Sequence, residues 1–454
     1  MSDDDRDERH DPDEQDGSEE QLRDMLRQFF EGDGSVDPAQ LAGAAGLPGD
    51  AASIQALMSQ LQSALRSSGD GINWDVALEQ GMAIAAKDAV ETTPAERAAL
   101  DQAFHVAALW LDEVTSISEL TTTPKLLGRR QWVKDTIPVW TQLAEPVATS
   151  ISDALTQVLR EQAPEEMQGM LQNAGHVVRA VGGTLFAMQL GQVVGQLAAE
   201  VVSGGDVGIP LLADGTAALL PQNVAAFGDG LDIPTDQVAL YLAVRELAHA
   251  RLFRHAKWLR LRLITAITEF ARGLNIDIDR LQELAEDFDP SNPEELRQAM
   301  VSGALIPPKT EAQQAALARL ETLLALTEGW VDVVTAKATE RLPKSDAIAE
   351  TVRRRRAAGG PAESAFATLV GLELRPRRLR EAAALWKAVT DAVGDDARDR
   401  LWSHPDLLPA AEDLDDPSGL VARLTASASG VEPEHDELDE AIAAILRGDS
   451  PTQD

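Results

Sequence analysis

Residues 236–254 read DQVALYLAVRELAHARLFR, and the reading of this stretch decides the fold. It predicts a helix that is apolar on nearly every side, from Val238 and Leu240 through Val244 and Leu247 to Leu252 and Phe253. Such a helix is central in its domain, not peripheral. Thr235 is its expected N-cap. Three of its ionisable residues, Arg245, Glu246 and His249, fall close together inside it, and buried ionisable groups need partners.

Residues four apart lie on one face of a helix. In HExxH this spacing puts two imidazoles on one Zn²⁺, and the Glu polarises the metal-bound water. Here Arg245 holds the first position. A guanidinium has no lone pair and stays protonated, so it cannot ligate a metal. Glu246 is then the candidate acid/base and His249 the candidate metal ligand. The alternative is two ordinary charges beside a hydrogen-bonded core histidine. Downstream, Glu328 sits in the apolar run LLALTEGW (323–330) and is the candidate third ligand, or else a helix-surface acid. Gly329 beside it costs helix stability and so points to close backbone approach there.

Outward from these segments the chain reads as mainly α. Aromatic residues are 4% of the composition, and Ala, Leu and Val supply most of the apolar residues. That balance favours helices over sheets. Residues 74–90, 94–120 and 129–161 read as helices, with a break expected near Pro138 or Pro146. Residues 165–204 form a long apolar helical stretch. Its part 182–202 carries Gln189, Gln192, Gln196 and Glu200, too polar for a membrane span. Gly191, Gly195 and Ala199 lie four apart and let another helix come close. Residues 204–234 are rich in Gly, Pro and Asp, and predict at most one short hairpin or a lid-like loop. Further helices are expected at 258–273, 276–288, 292–302 and 311–342.

The net charge is −35, much of it at the ends. Residues 1–20 hold eleven acids against two bases, and residues 411–454 twelve against two. Both read as disordered acidic tails. Residues 21–70 read as a loosely attached helical segment, and 74–410 as the main helical domain. The charge disfavours nucleic acid as a partner. The amino terminus carries no secretory signal and the sequence contains no cysteine, so a cytoplasmic protein is expected, with no membrane partner. Against this acidic background stand Arg353, Arg354, Arg355, Arg356, Arg377 and Arg378. They form a candidate anion or partner patch, or pair internally with acidic helices.

Several segments carry a family resemblance: RQWVKDTIPVWTQLAEP (130–146), Gln189 to Ala199, LAVRELAHARLFRHAKWL (242–259), Glu328 to Val334, VGLELRPRRLREAAA (370–384) and RDRLWSHPDLLP (398–409). Together they resemble the actinobacterial zincin-like metallopeptidases, zinc-dependent hydrolases related to a group linked to deazaflavin-cofactor biosynthesis. The resemblance covers about residues 74–417. It implies a helical zincin-like core, a zinc cofactor, Glu246 as acid/base, His249 as a ligand and a peptide or protein as substrate or partner. Arg245 departs from the family's first histidine. Two functions follow: a zinc-dependent hydrolase, or a non-catalytic pseudo-metalloprotease that works as a binding or scaffold protein.

Overall fold

The computed structural model describes residues 72–162, 168–272, 309–357, 361–372 and 378–428. The expected segment at 21–70, the helices at 276–288 and 292–302, the first tail and Arg377 lie outside them. Among the described residues there are thirteen α-helices and two short strands. In chain order they are α1 (Asp75–Ala85), α2 (Pro94–Asp112), β1 (Lys125–Leu126), α3 (Arg129–Gln162), α4 (Gln168–Leu197), β2 (Ala218–Leu219), α5 (Pro221–Gly228), α6 (Thr235–His255) and α7 (Lys257–Arg272). After them come α8 (Glu311–Ala338), α9 (Ser345–Ala357), α10 (Pro361–Val370), α11 (Leu379–Arg400), α12 (Ala411–Asp415) and α13 (Pro417–Ala428).

Helix α6 is the predicted central helix. Every residue from Tyr241 to Leu252 is buried, and α2, α5, α7, α8, α9 and β2 pack around it. Pro234, not Thr235, stands at its N-cap position. Helix α8 is capped by a reciprocal box between Thr310 and Gln313. Its Gly329 meets α11 so closely that a Cβ there would fall 2.7 Å from the Ala382 Cβ and 2.8 Å from the Ala382 carbonyl carbon. The close approach expected at Gly329 is therefore a helix–helix crossing.

Helices α1 and α4 cross through their glycines. A Cβ on Gly191 would lie 2.5 Å from the Ala77 carbonyl oxygen, and one on Gly195 2.9 Å from that of Gly81. This is the contact that the small-residue spacing predicts, although Ala199 lies beyond the end of α4. No described helix is long and apolar enough to cross a membrane.

Three expectations need correction. Helix α3 runs on through Pro138 and Pro146. Lys134 and Gln142, whose carbonyls lose their partners, are exposed, so water can satisfy them. On the other side Trp132, Val133, Trp140, Leu143 and Ala144 are fully buried, which outweighs the two lost bonds. Residues 204–234 do not form a simple hairpin. β2 pairs in parallel with the distant β1, Lys125 opposite Ala218 and Leu126 opposite Leu219, while Ser203 bridges Leu219 in the antiparallel sense. The segment also contains α5. Finally, residues 411–428, which their charge assigns to a tail, are largely helical, and Leu414 and Leu420 bury themselves beside α11.

Candidate functional site

The helical period sets the arrangement. Arg245 and His249, one turn apart on α6, face α8, and Glu328 of α8 meets both. Arg245 Nη2 donates to Glu328 Oε2. His249 Nε2 lies 3.2 Å from Glu328 Oε1. Arg356, near the end of α9, places Nη1 2.8 Å from the same Oε1. The Glu328 carboxylate, 1% exposed, thus sits between two guanidiniums and an imidazole. Burial opposes its ionisation, but Arg356, with His249 and Arg245, overcomes that and holds its carboxyl far below the usual range. Burial works the other way on His249, lowering its pKa against the attraction of Glu328. Its Nδ1 finds no hydrogen-bond partner among the described residues.

Glu246, three residues before His249 on α6, turns to the 203–208 turn and β2 instead of to Glu328. Its Oε2 accepts from Gly205 N–H and its Oε1 from Ala218 N–H, each at 2.8 Å. It ties the central helix to the Ser203–Gly208 turn and to β2. Burial pushes its carboxyl up to about 7, against the pull of those two donors and of the Ser203 hydroxyl.

The turn SGGDVG (203–208) is the part of the site that the sequence reading passes over. Its glycines lie against Glu246, His249 and Glu328. A Cβ on Gly205 would lie 2.9 Å from the His249 ring and 3.1 Å from Glu246 Oε2. One on Gly204 would lie 2.8 Å from Glu246 Oε1. Gly208 adopts φ +82°, which favours glycine, and its missing Cβ leaves room for Glu328 Oε1. Asp206 is held by Val202 N–H at 2.9 Å and by Arg355 at 3.2 Å, while its carbonyl accepts from Arg356 Nη2 at 3.0 Å. Three glycines in six residues beside the central helix were the available signal.

Of the arginine patch, Arg353 pairs with Asp332 at 2.8 Å, Arg354 with Glu350 at 2.7 Å and Arg378 with Asp415. Arg355 and Arg356 turn inward to the site. His404 lies apart from this cluster: it accepts from Asp406 N–H and caps a short 3₁₀ turn.

A zinc ion would need donors that this cluster does not supply. Among the described residues no group of three or more His, Asp or Glu converges on one point. Only His249 and Glu328 offer lone pairs there, and the unpartnered imidazole is the one feature in favour of a metal. Against it, both Glu328 oxygens already face guanidiniums. At about 4 Å a dication and a guanidinium repel by roughly 8 kcal/mol at an effective dielectric of about 20. Two such repulsions about cancel the attraction of the one carboxylate at zinc–ligand distance, which leaves a single imidazole to hold the ion, so the residues present do not fit a bound zinc.

The chain is similar in fold to a crystal structure from Chloroflexus aurantiacus, provisionally classed as a hydrolase and described as having a novel fold. The identity is 19% and the TM-score 0.52, over 78% of this chain and 98% of that one. No curated protein matches the chain. Residues 72–421, which include α6, the glycine turn and the arginines of α9, match the zincin-like metallopeptidases over most of the chain's length. The chain belongs to the zincin-like metallopeptidase family.

Proposed function

We propose that this chain is a non-catalytic member of its family, a pseudo-metalloprotease that serves as a binding or scaffold protein. One observation carries the reading: the Glu328 carboxylate is engaged by Arg245 and Arg356, cations fixed where a metal's charge would stand. The chemistry agrees at Glu246. A general base must reach a water or a substrate proton. Here both carboxylate oxygens accept backbone N–H groups in a buried setting. The acid/base position of the motif is used to fasten the 203–208 turn and β2 to the central helix. As part of this reading, the segments quoted above support a kinship with the actinobacterial members related to the deazaflavin-associated group. The cysteine-free sequence fits a reducing, cytoplasmic setting.

Elemental analysis of the purified full chain tests the reading. Substoichiometric zinc is expected, unchanged by His249→Ala. One zinc per chain, lost on His249→Ala, overturns it, and so does peptide hydrolysis that Glu246→Gln abolishes.

A further inference from the structure

Arg355 and Arg356 do more than neutralise their acids. With Arg245 they converge on an open pocket between α6, α9 and the turn at 202–206, lined also by Ser203, Asp206 and Phe227. The pocket itself has room for about one water; the space of about 330 Å³ around it takes in the open mouth, where an oxyanion would seat. The charges around it do not balance. Three guanidiniums line or border the pocket, against the carboxylates of Asp206 and Glu328. Glu328 Oε2 accepts from Arg245, its Oε1 faces Arg356 at 2.8 Å as an ion pair without a formed hydrogen bond, and Asp206 Oδ2 is shared between Val202 N–H and Arg355. The nearby Asp332 is held by Arg353, and Glu246 is held by backbone N–H groups. Arg356 Nε is buried without a hydrogen-bond partner. Arg355 lies over the Phe227 ring, 5.9 Å from its centre, which orients its planar fork.

A surplus guanidinium among partly apolar walls favours an anion, and forked N–H donors suit a planar or tetrahedral oxyanion. We propose that this pocket binds a small oxyanion, the phosphate or carboxylate end of a small molecule, through Arg355, Arg356 and Arg245. The sequence's broad arginine patch is thereby narrowed to its two inward members and one residue of the central helix. The proposal rests on the metal-free reading of the neighbouring motif, because a dication on Glu328 would displace Arg245 and Arg356 from it.

Thermal unfolding of the full chain in inorganic phosphate, in acetate and in chloride, at one ionic strength, tests it. Phosphate or acetate at about 10 mM is expected to raise the Tm by a few degrees over chloride. Whichever anion acts names the end group. Phosphate also stabilises proteins by exclusion from their surface, so the comparison is between variants. Arg423→Gln, which breaks the exposed pair with Asp413, retains the shift, whereas Arg355→Gln loses it. Arg355→Lys, which keeps the charge without the fork, retains less than half and stands in if Arg355→Gln does not fold. No shift with either anion, or an equal shift in the wild type and both Arg355 variants, overturns the proposal. Zinc measured on the same preparation separates the two readings. Metal-free protein without an anion effect sinks this proposal alone, while stoichiometric zinc sinks the reading on which it rests.

Discussion

The pairing of Arg245 with Glu328 invites a double-mutant cycle of Arg245→Met, Glu328→Gln and their combination. Breaking a buried ion pair costs about 3–5 kcal/mol, because one charge is left without compensation. Arg245→Met leaves Glu328 with Arg356 at 2.8 Å and the His249 ring at 3.2 Å, which puts the cost at the low end, about 3 kcal/mol. Glu328→Gln strands two buried guanidiniums at once and belongs at the high end, about 5 kcal/mol. In the double variant Arg356 alone lacks a counter-charge. Its cost should fall short of the sum by about 2–3 kcal/mol, within the range for residues in direct contact. An unfolding entropy of about 2.1 cal/mol/K per residue, taken over residues 72–421, gives on the order of 0.7 kcal/mol per degree. Arg245→Met should therefore lower the Tm by roughly 4 °C. Circular dichroism melts and urea titrations of all four proteins supply the cycle. If the two costs add within about 0.5 kcal/mol, or if Arg245→Met costs under about 1 kcal/mol, the guanidinium is not standing in for a cation that Glu328 requires.

Three further outcomes are expected. The carboxyl of Glu246 is pushed up to about 7 in the fold, above its ordinary 4.5. Between those values the folded state holds a proton that the unfolded state has released, so this residue's contribution falls as pH rises from about 4.5 to 7. The stability of the wild type relative to Glu246→Gln should decline across that window, and a difference flat from pH 4 to 8 would refute it. Gly191→Ala improves helix propensity but drives a Cβ to 2.5 Å from the Ala77 carbonyl oxygen, so it should destabilise by about 1–3 kcal/mol in urea unfolding. If the two arginines are what keeps metal out, Arg245→His combined with Arg356→Met should bind zinc in titration calorimetry where the wild type does not.

What could be read early and what could not follows from particular residues. The central helix was legible because its apolar residues surround it, and burial on all sides follows from that pattern alone. The α1–α4 crossing was legible in part: glycines four apart announce close packing but not the partner. The continuity of α3 was not legible, since proline's penalty is local while the burial of Trp132 and Trp140 that overrides it is tertiary. At the motif, Arg245 was visible as a missing ligand and Glu328 as a carboxylate in an apolar run. Arg356 was read only as part of a basic cluster, and the 203–208 turn only as a loop.

By itself, then, the sequence determined the helical class, the central place of residues 235–255 and the fact that Arg245 cannot ligate a metal. These follow from composition, periodicity and the chemistry of a side chain without a lone pair. Only the tertiary structure decided what the arginine does. Glu328 lies 83 residues further along the chain and Arg356 another 28 beyond that, and neither spacing predicts a contact. Packing of α6, α8 and α9 brings the two guanidiniums to one carboxylate, and the turn can close over the cluster because Gly204, Gly205 and Gly208 have no side chains at the points of contact. Charge at a buried point must be balanced by whatever the fold places there, and that is a property of three-dimensional neighbours.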